Sequence, residues 1–285
     1  MTIPPVAFDA EELHDRVASW KSGGLTVAFV PTMGSLHEGH KALVSAASAQ
    51  ADRVVVSIFV NPLQFGPGED FGSYPRGLDA DRGFLADTAA DVVFAPTPAE
   101  IYPAGVDNTV KVPAGPLGEV FEGLARPGHF DGMLTVVSRL LEIVAPANLV
   151  MGRKDAQQVF LVQEMVERQG LRCTVTSVDT VRDSDGLALS SRNAHLSQQE
   201  RVIARAIPRA LEAAARADSP EQALTLAHAE LETDPALVVD YLAVVDPATF
   251  IPLDQGVNGG EGLMIVAATV GTTRLIDNTR LTFGH

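Results

Sequence analysis

The chain is poor in cysteine, in positive charge and in long apolar runs, and each shortage excludes something. Its single cysteine, Cys173, rules out a disulfide within the chain and any cysteine-rich metal site. Cys173 lies in the strand-like run Leu171 to Val175, where a thiol reads as a buried structural group rather than a nucleophile. Lys and Arg number 21 against 36 Asp and Glu, a formal net charge of −15. That balance argues against a nucleic-acid partner and an anionic membrane, since both need basic surface. No apolar run reaches the ~18 residues of a membrane span, and Met1 to Val6 has no basic region followed by an apolar core. The expected location is the cytoplasm.

What is present suits a large α/β protein. A chain of 285 residues that is 46% apolar can bury a sizeable core, and its length suggests one larger and one smaller domain. Leu13, Val17 and Trp20 recur at helical spacing between Asp9 and Ser22, and Gly23-Gly24 ends that helix. Leu25 to Val30 and Arg53 to Val60 are apolar and β-branched, as buried parallel strands are. Helices are expected at Lys41 to Ala47, Leu78 to Asp87, Met133 to Val144 and from Gly152 to about Gln169, and strands at Asp91 to Pro96, Asn148 to Gly152 and Leu171 to Val178. Lys111 to Pro116 reads as a short edge strand. The alternation gives a fold class of α/β, a Rossmann-like doubly wound parallel sheet, for residues 1–179. Beyond a boundary near residue 180 the rhythm changes. Helices over Gln198 to Ala217 and Pro220 to Glu232, then strands at Val238 to Val245, Leu263 to Thr269 and Thr273 to Asn278, make 180–285 a smaller α+β domain.

Between the first of these strands and its helix stands Pro31-Thr32-Met33-Gly34-Ser35-Leu36-His37-Glu38-Gly39-His40. In a doubly wound sheet, ligands bind where loops leave the carboxyl ends of strands, and the next helix offers free N–H groups to phosphate. His37 and His40, spaced i, i+3, face the same way at that helix start, and the glycines permit close approach. The loop is neither a Walker loop nor Gly-x-Gly-x-x-Gly. Two histidines alone would equally suit a helix cap.

A His-x-Gly-His pair resembles the signature of nucleotidylyltransferases and class I aminoacyl-tRNA synthetases. The longer string resembles the pantothenate synthetase family, as do Asn61-Pro62-Leu63-Gln64-Phe65 with Tyr74-Pro75-Arg76, Gly152 to Gln158, and Ser190-Ser191-Arg192-Asn193. The resemblance covers nearly the whole chain. It implies ATP-dependent joining of pantoate to beta-alanine through a pantoyl-adenylate, with Mg²⁺ accompanying ATP, a homodimer, and a C-terminal lid domain. It implies ATP contacts from Met33, Gly34, Ser35, Leu36, His37, Glu38, Gly39 and His40, with His40 as proton donor and His37 beside it. Further ATP contacts are implied at Gly152, Arg153, Lys154, Asp155, Val181, Leu189, Ser190, Ser191 and Arg192, with Lys154 and Arg192 as catalytic cations. Gln64 and Gln158 are implied for pantoate, and Gln64 also for beta-alanine.

The chemistry accounts for these residue types. When a carboxylate attacks the α-phosphate of ATP, charge gathers on the phosphoryl oxygens and the departing pyrophosphate, so the protein supplies position and countercharge and needs no nucleophile of its own. Neutral amides orient a hydroxy acid without a full charge that would blunt its attack. Arg153, Leu189 and Arg139 depart from the residues usual in the family. His129 reads as structural, and Asp79 and Asp81 as a solvated helix face that could help hold Mg²⁺. The competing readings are a nucleotidylyltransferase that stops at an adenylated product and a non-catalytic nucleotide-binding regulator. The first needs no amine site, and the second needs neither Lys154 nor Arg192.

Overall fold

A computed structural model describes residues 2–69, 71–253 and 259–284. Strands and helices alternate up to Val178: β1 (Val6–Ala7), α1 (Ala10–Ser22), β2 (Val27–Thr32), α2 (Glu38–Ser48), β3 (Arg53–Ile58), α3 (Leu78–Phe84) and β4 (Val92–Phe94). Then come α4 (Pro98–Ile101), α5 (Glu122–Ala125), α6 (His129–Val144), β5 (Asn148–Gly152), α7 (Ala156–Arg168) and β6 (Thr174–Val178). Local chemistry sets the ends. The Asp9 carboxylate accepts from the Glu12 amide at 2.7 Å to open α1, and Gly23 returns its N–H to the last turn.

The sheet order is β1-β4-β3-β2-β5-β6, every pairing parallel. The chain steps outward from β2 through β3 to β4, then returns to place β5 on the other side of β2. The strand order thus reverses beside β2, and in open α/β sheets ligands bind outside the carboxyl ends of strands at such a switch point. Ala28, Val30, Val54, Val56, Val93 and Val150 pack with Val44 and Ala47 of α2 and with Leu85. By strand alternation Phe29 and Val55 face the other way, the side on which α1 packs with α6.

After Val178 the described chain folds into α8 (Gln198–Ala204), α9 (Ala206–Ala214), α10 (Pro220–Leu231) and an antiparallel meander of β7 (Leu237–Val245), β8 (Gly260–Val270) and β9 (Thr273–Phe283). Met264, Val266, Ala268 and Val270 on one face of β8 pack with Leu275 and Phe283 against the alanine and leucine face of α9 and α10. The chain divides into two compact units, Met1–Gly152 with Gln158–Val178, and Arg153–Gln157 with Asp179–His285.

Several expectations are corrected. Lys111 to Pro116 is not a strand, because α6 side chains satisfy its backbone: Val112 donates to Thr135 Oγ1 and Ala114 to Asp131 Oδ1, each at 2.8 Å. A two-residue strand at Val6–Ala7, too short to show periodicity, edges the sheet instead. The helix expected over Gln198 to Ala217 breaks at Arg205, since Pro208 lacks the N–H that would bond the Ala204 carbonyl. Cys173 precedes β6 and is only partly buried, though burial still pushes its thiol up to about 11. A group with that value stays protonated at neutral pH and is a poor nucleophile.

Candidate active site

The loop after β2 is fixed from within and from α3. Gly34 and Ser35 have φ of 84° and 54°, and a Cβ on Gly34 would stand 2.9 Å from Asp81 Oδ2. Asp81 explains why Ser35, a non-glycine, holds this backbone. Its carboxylate, 6% exposed, accepts from the Ser35 amide at 3.0 Å and the Leu36 amide at 2.8 Å. The solvated-face reading is thus wrong for Asp81: it is a buried strut, with both oxygens committed to the loop. Asp79 beside it is exposed.

His37 and His40 are partly buried and do cap α2, with ring centroids 4.2 Å apart. His37 Nδ1 accepts from the Gly39 amide at 3.2 Å, and His40 Nδ1 from the His37 amide at 3.1 Å. A ring nitrogen that accepts from an N–H carries no proton, so each neutral ring holds its proton on Nε2. Capping and proton donation therefore use different nitrogens of the same ring, and one role does not exclude the other. Glu38, exposed, pairs with Lys41 at 3.3 Å.

Gln64 belongs to the same unit and is buried, 8% exposed. It ends a 3₁₀ turn, Pro62–Gln64, capped by Asn61. Asn61, 1% exposed, donates from Nδ2 to Gln64 Oε1 at 3.0 Å and to the Gly132 carbonyl at 3.1 Å. Its Oδ1 accepts from the Tyr102 hydroxyl at 2.6 Å, a phenol whose pKa burial pushes well above its ordinary value. With Oε1 engaged, Gln64 turns its NH₂ the other way, where Nε2 reaches Met33 Sδ at 3.2 Å. The amide is presented as a donor on the side of the Met33 loop.

A second layer grips the main chain of Gln64. His129 Nδ1 bonds the Gln64 carbonyl at 2.8 Å, and Arg126 Nη1 meets His129 Nε2 at 3.2 Å. Nδ1 must carry the proton to donate to a carbonyl, leaving Nε2 to accept from the guanidinium. Arg126 in turn binds Glu69 through both carboxylate oxygens, at 2.8 and 2.7 Å, and this pairing holds the Glu69 carboxyl below its ordinary range. His129 is structural, as expected, but its partner Gln64 lies 65 residues away in the chain. Tyr74 is buried edge-on against Phe65, ring centroids 5.8 Å apart. Gly152 ends β5 in this unit, and Gln158, partly buried, lies in the first turn of α7.

The second unit holds the other candidate residues. Arg153 pairs with Asp179, Lys154 is partly buried and Asp155 is exposed. Val181 and Leu189 close a hairpin, the Leu189 amide donating to the Val181 carbonyl at 2.9 Å. Ser190 caps the 3₁₀ helix Ser191–His195, accepting from the Arg192 amide at 3.3 Å. Arg139, set apart in the sequence as a departure, bonds the Ile101 carbonyl and Glu142 in the first unit. Among the described residues no group of three or more His, Cys, Asp or Glu is placed to hold a metal ion, and no helix is long and apolar enough to cross a membrane.

Asp81 as a strut, Asn61, Glu69 and Arg126 were not among the sequence candidates. Asp81 carries a local signal only as a helix acid, Asn61 stands in the Asn61-Pro62-Leu63-Gln64-Phe65 string with no role of its own assigned, and the ion pair of Glu69 and Arg126 spans 57 residues.

A family model described as pantoate-beta-alanine ligase matches residues 6–280. Pantothenate synthetase of Acidothermus cellulolyticus is 52% identical over 258 residues, 88% of this chain and 84% of that protein. The Leifsonia xyli pantothenate synthetase is 53% identical over 258 residues, 90% of this chain and 89% of that one. Among solved structures, a pantothenate synthetase from Thermus thermophilus superposes with a TM-score of 0.87 at 44% identity, covering 96% of this chain and 98% of its own. A pantoate-beta-alanine ligase from Francisella tularensis, complexed with beta-gamma ATP and beta-alanine, superposes with a TM-score of 0.78 at 34% identity, covering 97% of both chains. With its doubly wound sheet, its capped histidine pair and a match running through both units, this chain belongs to the pantoate-beta-alanine ligase family.

Proposed function

We propose that the protein condenses pantoate with beta-alanine, converting ATP to AMP and pyrophosphate. The observation that carries this reading is the match of residues 6–280 to the ligase family. In the first step a pantoate carboxylate oxygen bonds to the α-phosphorus as the bond to the pyrophosphate oxygen breaks. In the second, the beta-alanine amine attacks the acyl carbon, AMP departs with the former carboxylate oxygen, and the ammonium loses its proton.

The part given to each residue is the one that the family resemblance implies, with the local geometry as support. The Nε2–H of His40, with His37 beside it, donates to the phosphate oxygens, and the Met33 to His40 backbone lies along ATP. Lys154 offers a point charge and Arg192 a planar fork to the charge that grows on pyrophosphate. Arg153, Asp155, Gly152, Val181, Leu189, Ser190 and Ser191 complete the ATP contacts, Arg153 and Leu189 through backbone groups. Gln64 presents its NH₂ to pantoate and then to beta-alanine, and Gln158 binds pantoate. Mg²⁺ accompanying ATP as part of the substrate would supply countercharge to the triphosphate. The working form is a homodimer, which equilibrium sedimentation reads directly.

Purified protein given MgATP, pantoate and beta-alanine should yield AMP and an amide in equal amounts, measured by mass spectrometry. A product that keeps AMP after the amine is supplied would replace this reading with adenylyl transfer alone.

Gln158→Glu separates a pantoate ligand from a bystander. The shape barely changes, but a carboxylate within ~4 Å of the substrate carboxylate costs about 1–4 kcal/mol, depending on how far water screens the pair. The Kd for pantoate should rise at least about tenfold, equivalent to ~1.4 kcal/mol, while that for ATP moves less than about threefold. Calorimetry with each ligand checks this; equal, small changes in both would take Gln158 off the site.

A further inference from the structure

We propose that Asp277 and Asn278, neighbours on β9, are positioning residues for phosphate chemistry: Asn278 sets the backbone that carries Lys154, and Asp277 sets the hairpin that leads to Arg192. The proposal rests on the roles given above to Lys154 and Arg192. Neither Asp277 nor Asn278 belongs to the sequence motifs of the site, and they lie 95 and 124 residues from the Arg182 and Lys154 that they hold.

Asn278 is 5% exposed in the centre of β9, paired in register with Ile265. Its Nδ2 donates to the Arg153 carbonyl at 2.8 Å and to the Lys154 carbonyl at 2.9 Å. Both amide hydrogens are thus spent on two successive carbonyls of the short segment between β5 and α7. Two adjacent acceptors fixed from one nitrogen define the path of that backbone, and with it the point from which the Lys154 side chain starts. This attachment ties the Arg153 and Lys154 backbone to β9 within the C-terminal unit.

Asp277, 4% exposed, receives the guanidinium of Arg182 on both oxygens, at 2.5 and 3.1 Å. Arg182 also donates to the Gly186 carbonyl at 3.1 Å, spanning the hairpin whose strands join at Arg182 and Ala188. Arg201 of α8 binds Asp183 at 2.6 Å and Asp185 at 2.8 Å. The hairpin that runs from Val181 into Ser190 is therefore held by two separate guanidinium contacts. A buried carboxylate held by both oxygens and a doubly used amide, neighbours on one strand, are more than packing of the meander requires, since apolar residues would fill the same space without desolvating the Asp277 charge.

Asn278→Asp keeps the shape, removes both donors and sets a carboxylate against two carbonyl oxygens. In single-turnover quench experiments adenylate formation should slow at least ~30-fold, with kcat falling and KM for ATP moving less than about threefold, because the displaced cation acts on charge that develops during reaction. The discriminating measurement is a double-mutant cycle. In a Lys154→Ala background, Asn278→Asp should cost less than about threefold more, because the group it positions is already gone. Asp277→Asn should show the same dependence on Arg192→Ala. If Asn278→Asp does not fold, as judged by a urea transition, Asn278→Ala takes its place. Full activity in the single variants, or losses that multiply in the double variants, would overturn the proposal, as would loss of folding in both Asn278 variants. If Lys154→Ala itself is without effect, the role of Lys154 fails, which is a separate result.

Discussion

Replacing His40 or Lys154 with alanine is expected to slow adenylate formation by roughly 10²–10⁴-fold, the range for a lost acid–base or oxyanion-type group. His40 in the first turn of α2 and Lys154 just after β5 are partly buried rather than in the core, so the fold should survive. For His40 the structural part of the loss can be separated. Its Nδ1 holds one backbone N–H of the α2 cap, a contact worth about 0.5–2 kcal/mol, which lowers the unfolding midpoint without touching the chemistry. His40→Asn restores a cap acceptor without the Nε2 proton, and should recover stability but not rate. Single-turnover quench beside urea denaturation reads both quantities. Turnover near that of the unaltered protein in either alanine variant would remove that residue from the mechanism.

The second large effect is expected at a residue that touches no substrate. A Cβ on Gly132 of α6 would stand 1.9 Å from the Leu63 carbonyl oxygen and 2.7 Å from the Gln64 amide nitrogen, and both are backbone atoms that cannot swing aside. Gly132→Ala must push the Pro62–Gln64 turn off the helix or deform the helix. Overpacking of this kind costs about 1–3 kcal/mol in stability. The displacement falls on Gln64, whose amide is aimed by Asn61 and whose Asn61 partner is itself bonded to the Gly132 carbonyl. A shift of ~1 Å in a positioning group can cost ~10²-fold, so kcat/KM for pantoate should fall at least that far, with ATP binding little changed. Unaltered kinetics in a stably folded Gly132→Ala would show that the turn does not set Gln64.

The sequence was legible wherever the information was local. The β-branched runs at Val27 and Val54, the glycines that end α1 and the histidine pair at the start of α2 all follow from neighbours within a few residues. Motif spacing likewise located the loop after β2. What stayed hidden is contact across the chain. Asp81 looked like one more acid on a helix, and only the fold brings it under Ser35 and Leu36. The grip of Glu69, Arg126 and His129 on Gln64 is spread over separate segments, as is the bond from Asn278 to the Lys154 backbone. Lys111 to Pro116 failed for the same reason, since its strand-like residues find their hydrogen-bond partners on a helix.

The central claim is that a pantoate carboxylate oxygen attacks the α-phosphorus of ATP, and oxygen tracing tests it most directly. With pantoate labelled by ¹⁸O in both carboxylate oxygens, one complete turnover with beta-alanine should leave one ¹⁸O in the AMP phosphate, the other in the amide carbonyl, and none in pyrophosphate. Label in inorganic phosphate beside ADP would mean attack at the γ-phosphorus, and AMP without label would mean that water or a protein group, not pantoate, takes the adenylyl group.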